Sequence, residues 1–252
     1  MVRIGVLIHA LQPLPTRVLS YLITYQNTLQ SSFLFEVLPS PDADPFLAKL
    51  AASNIGDHES IVPEVDQFVT RYKQWLNGQS ERYNLKVVDF DTIAILSDAQ
   101  FTDLYYYIDH EDWSLILLGG WKRRQAPPSI VEYYLTFLDT VAIIAATPGA
   151  VSQHYGITGC AMDFNESISS ARYATLCGYL CPDCASALEN GTSKQVLADA
   201  NLLLKRSWLG GSAKPSDVAV NVKKLGYDLF HTTGLRPTFA ERVRSLIEQE
   251  GI

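Results

Sequence analysis

Apolar residues along the chain follow two rhythms. Short unbroken runs at 3–8 (RIGVLI), 33–38 (FLFEVL), 92–96 (TIAIL), 115–118 (LILL) and 141–145 (VAIIA) predict strands buried on both faces. Between them, apolar residues recur at helical spacing. Val18, Leu19, Leu22 and Tyr25 predict a helix over 15–30, and Val65, Phe68, Val69, Tyr72 and Trp75 predict one over 62–76. Shorter helices are expected at 45–52 and 102–108. Pro127-Pro128 opens another through 138, because a first helical turn needs no internal N–H donor. Strands alternating with helices imply an α/β fold, a mixed or parallel sheet with helices on both faces.

After Pro148 this rhythm stops. Residues 151–191 are rich in Gly, Cys, Ser and Asn, and helical spacing returns at 193–208, 215–229 and 237–248. The last helix is announced by Thr238 with Glu241 three residues on, a capping pair. The expected organisation is an α/β core at 1–150, a connector at 151–191 and a C-terminal helical region at 192–252. That region is either a small separate domain or a layer on the core.

Composition narrows the class. With 47% apolar and 19% charged residues, the chain is neither disordered nor collagenous. A net charge of -7 argues against nucleic acid as the main partner. The apolar start is too short for a secretion signal, holds His9 and runs into Pro13 and Pro15, so a cytoplasmic protein is expected. No run reaches the length of a membrane span. The glycosylation-like triplets at Asn165 and Asn190 are then chance matches.

The four cysteines, Cys160, Cys177, Cys181 and Cys184, all fall inside the connector. Disulfides that staple a large fold more usually bridge distant segments, so clustered thiols in a reducing compartment point to metal. Cys181-Pro182-Asp183-Cys184 is half of a zinc knuckle, its thiolates spaced to turn toward one tetrahedral ion. Cys160 lies far enough upstream to return as a third ligand. For the fourth, Cys177 would share a helical face with Cys181 and complete a closed, structural four-thiolate zinc site. His154 is the alternative, giving three sulfurs and one nitrogen. A Cys-Pro-x-Cys pair also serves dithiol redox chemistry, so a thiol redox protein using Cys181 and Cys184 is a competing reading.

The stretch from Gly159 to Ser167 (GCAMDFNES), followed by Cys181-Pro182-Asp183-Cys184, resembles the end of the archaemetzincin family of zinc metallopeptidases. There a Cys-x-Met segment precedes a Cys-x-x-Cys pair, and four cysteines bind a structural zinc. The resemblance covers about 25 residues. It implies zinc at Cys160, Cys181 and Cys184, with the family's first cysteine falling near Tyr155, where this chain has none. It also implies a metzincin-like fold. The family's His-Glu-x-x-His-x-x-Gly-x-x-His signature is missing, because residues 141–154 (VAIIAATPGAVSQH) hold one histidine and no glutamate. The expectation is a non-catalytic binding, regulatory or adaptor protein that keeps the zinc clip. The alternative is a metal-dependent hydrolase or peptidase with a rearranged centre.

Other chemistry is weaker. Asp89, Asp91 and Asp98 flank a predicted strand, and Asp109, His110, Glu111 and Asp112 form an acidic group; either could hold a cation, and solvated loops explain them equally well. Gly119-Gly120-Trp121-Lys122-Arg123-Arg124 ends a strand with two glycines, an aromatic ring and three cations. It matches no nucleotide-binding motif, yet it could seat a protein or an anionic small molecule, with Trp121 as the apolar contact and Lys122, Arg123 and Arg124 as the charged ones.

Overall fold

A computed structural model of the chain describes residues 1–11, 14–52, 54–86, 89–231 and 234. Five strands, β1 (Val2–Ile8), β2 (Phe33–Leu38), β3 (Thr92–Ser97), β4 (Tyr107–Asp109) and β5 (Trp113–Leu117), form one sheet in the order β2-β1-β3-β5-β4. All neighbours are parallel except β4, which runs antiparallel along β5 at the edge.

Helices cover both faces. These are α1 (Thr16–Gln26), α2 (Pro45–Ala51), α3 (His58–Arg82), α4 (Ile130–Ala146), α5 (Arg172–Cys177), α6 (Pro182–Gly191), α7 (Lys194–Lys205) and α8 (Asp217–Lys224). On one face Leu7, Ile93, Ile95, Leu115 and Leu117 pack on α2 and α3. On the other, Ile4, Val6, Ala94, Leu96 and Ile116 meet α1 and α4. Alternation along the central strands β1, β3 and β5 sends successive side chains to opposite cores, which is why they read as apolar runs. The second core continues into Cys160, Met162, Leu188, Leu203, Leu204, Val218 and Tyr227, so the connector and the helices after it pack as a layer against α4. No helix among the described residues is long and apolar enough to cross a membrane. The helix expected at 237–248 lies outside them.

Two expected elements differ. The run at 141–145 is the last part of α4, not a strand. Ser129 caps that helix, its backbone N–H donating to Glu132 at 2.7 Å, so the helix starts after both prolines and continues through the apolar run. α4 lies between the sheet and the C-terminal layer and is buried almost all round, which erases the amphipathic signal. The expected helix at 102–108 is instead the approach to β4. Residues 110–112 are the tight turn of the β4–β5 hairpin, closed by the His110 N–H on the Trp113 carbonyl at 2.8 Å.

Gly119 marks where the sheet is closest to itself. A Cβ there would sit 1.9 Å from the Asp98 carbonyl oxygen, and the Gly119 N–H donates to the Ala99 carbonyl at 3.0 Å. The missing side chain serves contact between the ends of β3 and β5, not approach by a ligand. Gly119→Ala is expected to lower stability by about 3 kcal/mol, since rigid backbone cannot retreat from the new methyl. An unchanged melting temperature would refute that reading.

Candidate metal centre

The centre is assembled by three short extended pieces and one helix start. The backbone at His154 pairs with Asp163, its N–H donating to Met162 at 3.0 Å and its carbonyl accepting from Phe164 at 2.8 Å. Cys160 pairs with Tyr179, and the Ala161 N–H donates to the Tyr179 carbonyl at 2.8 Å. Cys181 then caps α6 with Pro182 at the first helical position, and Cys184 follows in the first turn. The positive end of that helix dipole favours thiolates there.

Donor atoms of His154, Cys160, Cys181 and Cys184 all lie within 4.8 Å of one another, and this group could hold a metal ion. Tetrahedral coordination at about 2.0–2.3 Å per ligand places donors roughly 3.3–3.8 Å apart, so a modest contraction completes the site. The His154 Nε2 is already 3.5 Å from Cys181 Sγ. Among the described residues no second group of this kind occurs.

Surrounding hydrogen bonds prepare the donors. Cys160 Sγ accepts from the backbone N–H of Cys181 at 3.2 Å and of Met162 at 3.4 Å. A hydrogen bond from the Cys184 thiol, joined by those two N–H groups, brings the Cys160 thiol down to about 5 against the opposing effect of burial. That same bond, then burial, pushes the Cys184 thiol upward. The second ring nitrogen of His154, Nδ1, faces the Asp163 carboxylate at 3.5 Å. Asp163 is buried and accepts from Thr158 N–H at 2.8 Å, Gly159 N–H at 2.7 Å and the Thr158 hydroxyl at 2.9 Å. A carboxylate behind a ligating imidazole fixes its tautomer and raises its basicity. Sequence reading missed Asp163, although its place immediately after Cys160-x-Met162 was a usable signal.

Cys177 is not one of the four. Its expected role required a helix running through Cys181, but α5 ends at Cys177 and Gly178 takes a left-handed conformation, φ 54°. That reversal removes the shared face. The Cys177 side chain is exposed and packs against Gly159, where a Cβ would meet its sulfur at 2.8 Å. Tyr155 is 90% exposed with its ring edge-on to Phe164, and the fourth donor comes from His154 beside it.

The remaining candidates scatter. Trp121 is 7% exposed and belongs to the core, so it is no recognition surface. Arg123 is half-buried and engaged within the protein, while Lys122 and Arg124 are exposed and line a hollow. Asp112 pairs with Lys73, and Asp109 accepts from the Ser114 hydroxyl at 2.6 Å. His110 stacks on Trp113. Asp91 accepts the Arg3 N–H at 2.7 Å. These groups shape turns and edges. Comparison with protein-family models, curated proteins and solved structures finds no significant match to this chain.

Proposed function

We propose that the chain is a non-catalytic binding protein on a metzincin-like scaffold, and that His154, Cys160, Cys181 and Cys184 hold zinc as a structural clip. The observation that carries this reading is the closed donor set. A catalytic zinc keeps one position for water or substrate, whereas here four protein side chains converge and three of them are cysteines. Three sulfurs and one nitrogen in a tetrahedral arrangement suit zinc over harder cations. The connector buries side chains of its own, Val151, Met162, Ile168, Leu180 and Leu188 among them, and a bound ion would add folding free energy by tying its ends together.

Supporting the family resemblance, the three cysteines that carry it, Cys160, Cys181 and Cys184, come together with His154 around one point. The segment that would have to carry the two histidines and the glutamate of a peptidase is instead the apolar end of α4, Val141 to Ala146. Elemental analysis of protein purified without chelator is expected to give one zinc per chain, with no chelator-sensitive cleavage of unstructured peptides. A second tightly bound metal, or cleavage abolished by chelation, would overturn the reading in favour of a hydrolase. Zinc-free protein with a reversible Cys181–Cys184 disulfide would favour the redox alternative.

A further inference from the structure

A hollow of about 270 Å³ lies at the carboxyl ends of β3 and β5, bounded by residues 100–105, the 120–125 turn and residues 167–169 of the connector. Ligands in sheets of this kind bind outside the carboxyl ends of strands. Its rim carries Lys122 and Arg124, both exposed and without an acidic partner among the described residues. The chain has 27 acidic side chains against 20 basic ones, so two neighbouring cations with no acidic partner among the described residues call for a reason. The one carboxylate at the rim, Asp103, is already occupied. It accepts from the His58 backbone at 3.1 Å, contacts His58 Nδ1 at 2.7 Å and accepts from the Tyr105 N–H at 3.1 Å.

Gln125 fixes the geometry. Its Oε1 accepts the Lys122 backbone N–H, and its Nε2 donates to Ser169 Oγ at 2.8 Å. The basic turn is therefore stapled to the connector, and the Ser169 hydroxyl, having accepted that bond, keeps its own proton to donate. Leu117, Phe101, Ile168 and Tyr105 add apolar and aromatic surface.

We propose that this hollow binds a phosphate monoester, its dianion held by Lys122, Arg124 and the Ser169 hydroxyl and its organic part resting on Tyr105 and Ile168. Two cations match the double charge, guanidinium and hydroxyl suit the several phosphate oxygens, and the apolar wall favours an ester over inorganic phosphate. The proposal refines the binding role above. It depends on the metal reading only through the connector wall, since Lys122 and Arg124 stand on the sheet side.

The test is calorimetric titration of the full chain, as purified, with phenyl phosphate, inorganic phosphate and benzoate. Adenosine monophosphate and a phosphoserine peptide serve as further arms, separating a small-molecule source from a protein one. Phenyl phosphate is expected to bind more tightly than inorganic phosphate or benzoate. The double variant Lys122→Ser/Arg124→Ser should lose roughly tenfold or more in affinity for each cation removed, and part of its salt dependence. Its melting temperature should not change. A control with the same charge change elsewhere, Lys205→Ser/Lys214→Ser, should bind like the parent. No binding of any phosphate ester, or equal loss in both double variants, would overturn the proposal. If the chain proves free of metal but the Lys122/Arg124 effect stands, the clip is wrong and the phosphate site is right.

Discussion

Serine at Cys181 or Cys184 is expected to release the metal and to unfold the connector while the sheet persists. Structural zinc contributes on the order of 10 kcal/mol to small metal-held folds at neutral pH, so losing one of four ligands removes a large part of what orders this segment, beside the burial of Met162, Ile168, Leu180 and Leu188. The effect should propagate to the C-terminal layer. Cys160 and Met162 are fully buried in the same core as Leu203 and Leu204, and Arg206 donates to the Glu132 carbonyl at 3.0 Å and to the carbonyl of Thr175 in the connector. His154→Ala should behave like the cysteine variants, whereas Cys177→Ala should keep full metal content. Asp163→Asn leaves the four donors in place and should weaken the metal by about 10–100-fold, the usual cost of losing an outer partner of a histidine ligand. Metal content after dialysis, with limited proteolysis of residues 151–191, reads all of these. Retention by His154→Ala together with loss by Cys177→Ala would return the fourth position to Cys177.

Asp139→Asn is expected to make the protein more stable near neutral pH and to flatten its stability between about pH 4 and 7. Asp139 sits on α4 at 1% exposure, facing Gln26 of α1 and the buried Arg206. Burial pushes its carboxyl up to about 7, against the opposing effects of Arg206 and the Gln26 hydrogen bond. Gln26 Nε2 donates to Asp139 Oδ1 at 2.8 Å, while Gln26 Oε1 and Asp139 Oδ2 are both buried without a partner. A proton on Oδ2 turns that bare acceptor into a neutral hydroxyl, which burial favours over a charge.

The folded state therefore binds this proton more tightly than the unfolded chain does. Its contribution is full below the unfolded value, near 3.9, and is lost as pH rises through about 7. The gap amounts to up to about 4 kcal/mol. Asparagine keeps an acceptor for the Gln26 amide without a titrating proton, and the Arg206 guanidinium keeps its bonds to the Glu132 and Thr175 carbonyls. Denaturant unfolding at several pH values should show the variant's advantage growing from pH 4 to 7 and then levelling. Parallel profiles for the two proteins would refute a neutral Asp139.

What the sequence determined by itself was whatever depends on neighbours along the chain. Strand positions β1, β3 and β5 followed from apolar runs, because a strand between two helical layers has no polar face to show, and edge strand β2 was legible although Glu36 and Val37 lie at its more open end. α1 and α3 followed from one-sided spacing, although α3 runs further in both directions than its apolar stripe, and α2 was expected as a short helix at 45–52. Cys160, Cys181 and Cys184 were legible for the same reason: a Cys-x-x-Cys pair at a helix start is a local device.

The rest was decided by tertiary structure. α4 lost its helical signature because the C-terminal layer buries its outer face, so its final turns read as a strand. The edge strand β4 is three residues long and exists only because β5 offers it hydrogen bonds. The choice of His154 over Cys177 turned on one residue, Gly178, whose left-handed conformation ends α5 and swings Cys177 away, while pairing with Asp163 brings His154 in. Trp121 looked exposed from its basic neighbours but fills the core. Gln26 and Asp139 are separated by 113 positions and meet only when α1 packs on α4, a proximity that no local pattern records.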